Sequence, residues 1–339
     1  MTDTIPVVSV CVANYNGMAV IDDCLHSVLT QEGNIPVEIL VHDDASSDGS
    51  AAYIRNHYSN VKLIMSDNNV GFCVANNRMV AEAKGKYLLL LNNDAALYPD
   101  ALQTLLSEAR LIDRPAILSL SQVDAESGEL LDIGSMLDPF LNPVPNRDRK
   151  RGDVGMVMGA CLWIDANLWD KLGGLPEWFG SVGEDLYLCC RARLAGYPVR
   201  ALGTSSYRHR VGTSFGGGKA RSGKLSTTFR RRALSERNKT FVMVMTYPAP
   251  FMQLWLPVHL ILLLVEGTLL SILKGKLSCL REIYLPVLVE LFRQRKSLTT
   301  GRRTIMQSRH LSSAHYFAPF DLLPYKLRML IRHGLPRLY

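Results

Sequence analysis

Short apolar runs alternate with stretches of helical spacing through the first half of the chain. Val7–Val12 is a β-branched run that predicts a strand, and Val20–Gln31 carries apolar residues at helical spacing. Val37–Val41 predicts a second strand, followed by the turn-rich segment His42-Asp-Asp-Ala-Ser-Ser-Asp-Gly49. Helix Ser50–His57, strand Lys62–Met65, helix Val74–Ala83 and strand Tyr87–Leu91 continue the alternation. Strand–helix repetition at this spacing predicts an α/β fold with a Rossmann-like, mostly parallel sheet and helices on both faces. Ligands of such sheets gather outside the carboxyl ends of the strands. The predicted tips are polar: Ala13-Asn14-Tyr15-Asn16, His42-Asp43-Asp44 and Asn92-Asn93-Asp94.

The pattern weakens from Ile112 to Arg151, and Met156–Ile164 reads as a further buried segment. Glu184–Ala195 predicts a helix halted by Gly196 and Pro198. Gly212–Lys224, rich in Gly, Ser, Lys and Arg, predicts a mobile basic loop over a diphosphate. Its Gly218…Gly-Lys224 spacing resembles a P-loop, but Leu225 stands where that motif needs Ser or Thr. Phe251–Leu273 is strongly apolar yet holds His259 and Glu266, seven residues apart and so on one helical stripe. A spanning helix and an interfacial one both remain open for it.

Composition narrows these readings. The chain has 339 residues, 47% hydrophobic and 20% charged, as a globular protein of more than one domain does. Its seven cysteines form no metal-type spacing and predict buried thiols in a reducing compartment. The amino terminus lacks a basic n-region before its first apolar run, so a cytoplasmic location is expected. Charge is uneven: Ser271–Tyr339 holds 13 Lys/Arg against 3 Asp/Glu, whereas the rest holds 25 against 28. A basic tail on an acidic-leaning body suits an anionic membrane surface. No nucleic-acid partner is expected, because no recognition motif or aromatic-interleaved basic patch accompanies that charge.

Five units carry candidate chemistry. Asp43 and Asp44 end the second strand, where a carboxylate accepts hydrogen bonds from a base or a ribose; Asp48 also suits a helix cap. Asp94 ends an apolar strand and offers a hard oxygen to Mg²⁺ or Mn²⁺. Asn69, Gly71, Asn76 and Asn77 offer amides and close backbone approach near a sugar or phosphate. Glu184 and Asp185 open a helix, whose positive end favours ionised carboxylates, and a rim carboxylate there suits a general base. His209 follows the last predicted strand as a possible nitrogen ligand.

The order Val-Ser-Val-x-x-x-x-Tyr-Asn, Asp-Asp-x-Ser-x-Asp-Gly, Asn-x-Gly-Phe-x-x-Ala-Asn-Asn, Asn-Asn-Asp, Gly-Ala and Glu-Asp resembles family-2 glycosyltransferases of the GT-A fold. Asn69-Val-Gly-Phe72 with Asn76-Asn77, and Leu172-Gly-Gly-Leu-Pro-Glu-Trp-Phe179, are similar to the bacterial rhamnosyltransferase and galactofuranosyltransferase branch. The resemblance covers residues 5–240 and implies a donor rim of Ala13, Tyr15, Asn16, Asp43, Asp44, Asn69, Gly71, Asn76, Asn77 and Asn93. It implies Asp94 and His209 as ligands of a divalent metal, with Asp185, beside Glu184, as inverting base. Tyr187 and Pro176 depart from the branch pattern on the acceptor side. The implied activity is transfer of L-rhamnose from dTDP-L-rhamnose to a lipid-linked or polysaccharide acceptor of cell-surface glycan synthesis. A UDP-sugar such as UDP-galactofuranose is the alternative donor.

Two rivals stand beside that reading. A nucleotidyltransferase needs a basic Gly-rich loop after the first strand, where this chain has Asn14-Tyr-Asn-Gly-Met. A non-catalytic nucleotide-sugar-binding scaffold has little need of Asp94, Asp185 and His209 together. The expected organisation is a catalytic domain over 1–240 and a helical, basic and apolar region over 241–339. That region would hold the enzyme, peripherally or monotopically, on the cytoplasmic face of the cell membrane.

Overall fold

The computed structural model describes residues 5–210, 217–221, 224–334 and 337–338, which form two compact units. The first comprises residues up to 135, 145–192 and 197–214. Its elements begin β1 (Val8–Asn14), α1 (Ile21–Leu29), β2 (Val37–Asp43), α2 (Ser50–His57), β3 (Val61–Met65), α3 (Phe72–Glu82) and β4 (Tyr87–Asn92). They continue through β5 (Ala95–Leu97), α4 (Ala101–Leu111), β6 (Ile117–Asp124) and β7 (Leu130–Asp132); β8 (Ser135–Leu137) and β9 (Pro143–Pro145) follow in the chain, with 136–144 in the second unit. Then come β10 (Cys161–Asp165), α5 (Ala166–Leu172), α6 (Glu184–Leu194) and β11 (Val199–His209).

Nine strands make one sheet in the order β3-β2-β1-β4-β10-β6-β11-β5, with β7 paired to β6. β4 reads as an apolar run up to its tip and β1 as one interrupted only by Ser9, because both faces are covered, and their side chains are almost all buried. Helix α1 buries Ile21, Cys24, Leu25 and Val28, the i, i+3, i+4, i+7 stripe that its sequence spells. Trp163 of β10 stacks on Tyr87 of β4 with ring centroids 4.9 Å apart.

The sheet is mixed: most of its pairing is parallel, as expected, including β6 with β11, and antiparallel strands are added to it. β1 to β4 are parallel, but β10 runs antiparallel to both β4 and β6, and β5 antiparallel to β11. Apolar periodicity reports which faces are buried, not the direction in which a strand enters, so β10 carries no sequence sign of its reversal. The weakly patterned stretch from 112 to 151 supplies β6 to β9.

The second unit comprises 136–144, 193–196 and 215–339. It contains β12 (Gly217–Arg221), β13 (Lys224–Thr227), α7 (Phe229–Thr246), α8 (Phe251–Lys274), a π-helical turn (Cys279–Tyr284), α9 (Leu285–Arg293), α10 (Arg295–Gln307), α11 (Ser313–Phe317), α12 (Tyr325–His333) and β14 (Arg337–Leu338). The expected Gly212–Lys224 loop falls at 212–216 and 222–223 outside the described residues, whereas 217–221 and Lys224 lie in strands.

Helix α7 belongs to this unit because its charged residues are satisfied inside it. Glu236, almost fully buried, lies 2.9 Å from Arg232, 3.1 Å from Lys239 and 2.8 Å from Lys326. Glu266 of α8 closes the cluster, 2.6 Å from Arg232 and 2.7 Å from Lys326. Thr240 spends its one hydroxyl proton on the Glu236 carbonyl, so it accepts from His259 Nε2 at 2.8 Å. Burial lowers the His259 pKa to about 3 and keeps the ring neutral. Arg302 donates to the Val244 and Tyr247 carbonyls at 2.7 and 2.8 Å and so caps the end of α7.

Candidate active site

The tips of β1, β2 and β4 are tied by one buried side chain. Asn14 Nδ2 donates to Asp43 Oδ1 at 2.8 Å and to Ser50 Oγ at 2.9 Å, while its Oδ1 accepts from Asn93 Nδ2 at 2.9 Å. Gly17 covers this junction; a β-carbon there would collide with Asn14 Oδ1 and Asn93 Nδ2. Asp43 also accepts from the Ser46 backbone N–H at 3.0 Å and exposes no surface. Asp43, expected against a base, is engaged here by Asn14 and the Ser46 N–H and so orders the rim. The signal for Asn14 was only its position one residue after Ala13, and nothing in the sequence marked it as a junction.

Asp44 accepts from the Val70 and Gly71 N–H groups at 2.7 and 2.9 Å and so clamps the loop before α3. Gly71, at φ +85, adopts a conformation costly for other residues, and a β-carbon would press on the Gly180 carbonyl. Asn76 donates to the Phe72 carbonyl and Asn77 exchanges two hydrogen bonds with the Leu175 backbone. These two amides are therefore turned to protein partners, not to an open donor site. Asp48 accepts from Ser50 and Met18 N–H, and Gly49, not a side-chain cap, precedes α2. Tyr15, Asn16 and Asn69 are exposed and Ala13 is half-buried at the same rim. Asn16 accepts from the Ser47 N–H at 2.9 Å.

Asp94 follows β4 and His209 ends β11, yet Asp94 Oδ1 and His209 Nε2 lie 3.1 Å apart. Two adjacent ligands of an octahedral ion with bonds of about 2.1 Å stand close to that distance. One hard oxygen and one imidazole nitrogen suit Mn²⁺ or Mg²⁺ with water or phosphate in the other positions. Among the described residues no group of three or more His, Cys, Asp or Glu is placed to hold a metal. Gln122 of β6, which no sequence motif flagged, bonds His209 Nδ1 at 3.0 Å, and the Tyr207 hydroxyl donates to Gln122 Oε1 at 3.0 Å. Written this way, Nδ1 accepts and Nε2 carries the proton. Metal binding through Nε2 requires the opposite tautomer, reached by flipping the Gln122 amide so that Oε1 accepts from Nδ1.

Glu184 and Asp185 share the first turn of α6 but differ in surroundings. Asp185 is half-buried and accepts from the Gly159 N–H at 3.0 Å. The next residue, Ala160, accepts from the Asn92 N–H at the β4 tip, so residues 159–160 join the two carboxylate sites. Glu184 is enclosed and its Oε2 has no hydrogen-bond partner among the described residues. Burial, then the Asp185 charge, pushes the Glu184 carboxyl up to about 8. Burial thus favours the neutral form of Glu184, whereas Asp185 is only half-buried, so the two carboxyls differ by environment.

The same asymmetry predicts a pH effect on stability. Between the ordinary carboxyl value of 4.5 and about 8, the folded protein keeps a proton on Glu184 that the unfolded chain has released. Stability should fall as pH rises through that window. Glu184→Gln, which cannot ionise, should flatten the fall; melting temperatures at pH 5 and pH 8 check it, and an unchanged slope would refute it.

A mixed sheet with this order and acidic strand tips defines a GT-A fold. Residues 9–172, just under half of the chain, match the family model Glycosyl transferase family 2. The chain is 36% identical over 187 residues to "Chondroitin synthase" of Pasteurella multocida (strain Pm70), covering 54% of this chain and 19% of that protein. It is 31% identical over 210 residues to "Glycosyltransferase AglE" of Haloferax volcanii, covering 59% and 65%. The chain spans only 26% to 42% of the length of the first curated relatives it matches. Among solved structures, the mannosyltransferase PcManGT of Pyrobaculum calidifontis, in complex with GDP-Man and Mn²⁺, shares the fold. Its TM-score is 0.51 at 17% identity, over 90% of this chain and 86% of that one.

Proposed function

We propose that this protein is an inverting, metal-dependent glycosyltransferase that moves a sugar from a nucleoside-diphosphate donor to a glycan hydroxyl. The observation that carries the reading is the half-buried, backbone-bonded Asp185 beside a neutral Glu184. Asp185 accepts the proton of the acceptor hydroxyl as its oxygen attacks the anomeric carbon. The bond to the diphosphate breaks on the opposite face, and the anomeric configuration inverts. Asp94 and His209 would hold Mg²⁺ or Mn²⁺, whose charge when bound stabilises the leaving diphosphate. The Asn14 junction, which includes Asn93, and the Asp44 clamp hold the rim in shape, and the exposed Tyr15 and Asn16 would meet the donor.

The proposed donor is dTDP-L-rhamnose, with UDP-galactofuranose second. Its support is the resemblance of Asn69–Asn77 and Leu172–Phe179 to that branch. The proposed acceptor is a lipid-linked or polysaccharide glycan of the cell surface, supported by relatives whose names are those of polysaccharide-building proteins. A panel of nucleotide sugars with Mn²⁺, read by thermal shift and donor turnover, tests this. dTDP-L-rhamnose should give the largest shift and be consumed. A larger shift from UDP-glucose overturns the donor, and binding without any turnover favours the scaffold reading.

A further inference from the structure

Helix α8 is built inside out. Its buried stripe is His259, Leu263, Gly267, Leu270 and Ser271, and the partly buried Glu266 on that same stripe is its one acidic residue. The stripe packs on the π-helical turn so closely that a β-carbon at Gly267 would strike Tyr284 and Leu280. The opposite stripe is aliphatic and exposed, including Ile261 at 62%, Val265 at 47%, Leu269 at 52% and Ile272 at 70%. Water is a poor partner for such a face, and an apolar patch of this extent marks an interaction surface.

By length and composition α8 is able to cross a bilayer. Its polar seam argues against crossing. Glu266 is paired with Arg232 of α7 and Lys326 of α12, and His259 is bonded to Thr240 of α7. A crossing α8 would have to leave these partners or draw α7 after it, and the first turns of α7 carry Arg230, Arg231 and Arg232. Charged residues at that depth are strongly disfavoured.

The occupant is chosen by charge. α9 repeats the arrangement, with Leu285, Val289 and Phe292 exposed on one face and the Arg295 guanidinium stacked 4.2 Å from the Phe292 ring. Exposed Lys276, Arg281, Arg293 and Lys296 follow or interleave these apolar faces in sequence. A second copy of the chain would meet like charge; anionic lipid meets complementary charge while its acyl chains receive the aliphatic stripe. Arg302, counted with this basic set from sequence, is instead committed to the α7 carbonyls.

We infer that α8 lies in the plane of an anionic bilayer leaflet, its outer stripe in lipid and its polar seam on the protein. This goes beyond the proposed chemistry and does not depend on it. The test uses the full chain and vesicles of phosphatidylglycerol and phosphatidylcholine, without donor or acceptor. Partitioning should be at least ten-fold stronger to mixed vesicles than to phosphatidylcholine alone at low salt, and alkaline carbonate should strip the protein from cell membranes. Ile261→Gln with Leu269→Gln, leaving the seam intact, should weaken partitioning ten-fold or more with an unchanged circular dichroism spectrum. If that pair fails to fold, Lys276→Glu with Arg281→Glu and Lys296→Glu should remove the preference for anionic lipid. Retention in the membrane after carbonate would show a spanning helix, and a soluble dimer indifferent to vesicles would show a second copy on this face; either overturns the inference.

Discussion

Asp185→Asn should keep donor binding and lose turnover by a factor on the order of 10²–10⁴, the usual loss when a positioned base is removed. The amide preserves the shape and still accepts from the Gly159 N–H, but it cannot take a proton. Single-turnover transfer beside equilibrium donor titration separates the two effects. The neighbouring substitution is the control: a neutral Glu184 is mimicked by glutamine, so Glu184→Gln should leave turnover within a few-fold. If Glu184→Gln is the crippling change and Asp185→Asn the mild one, the two roles have been exchanged. The proposed assignment rests on surroundings, since adjacent positions on one helical turn see the same dipole.

Asp94→Ala should lower Mn²⁺-dependent transfer at least a hundred-fold, of the order found when one group stabilising the developing charge is removed. Excess chelator should depress the unsubstituted enzyme similarly, and added Mn²⁺ should restore it. The variant should stay folded, because β4 is held by Leu88–Leu91 in the core and not by its tip. Mn²⁺ titration followed by electron paramagnetic resonance gives a second readout, in which affinity should drop with Asp94→Ala and with His209→Ala. Full turnover in chelator would remove the metal from the mechanism.

What the sequence disclosed and what it withheld divide along a physical line. The alternation through Tyr87–Leu91 was legible because each strand and helix advertises its buried face in its own residues. The polar tips were legible for the same reason. Strand direction was not: β10 reverses after a weakly patterned stretch that holds only the short strands β7 to β9, and no local pattern encodes the reversal. Side-chain employment was illegible too. Asp44, Asn77 and Arg302 look like ligand groups by residue type, but their partners lie 26, 98 and 55–58 residues away, at Val70, Leu175 and the α7 carbonyls. Gln122 was hidden because a single glutamine in a weakly patterned stretch has no signature. The outer half of the compact division, at 136–144 and 193–196, was equally silent, since these short segments join a unit whose bulk lies a hundred residues further on.

Asn14 ends the first strand with its whole amide committed to the second and fourth. Three strand tips thus share one set of protons and lone pairs, and none can be altered in isolation. In a mutational scan the costs of changes at Asn14, Asp43 and Asn93 will not add. The first substitution releases the junction, and later ones find it already lost. For anyone redesigning the donor rim, those positions form one indivisible part, to be exchanged together or left alone.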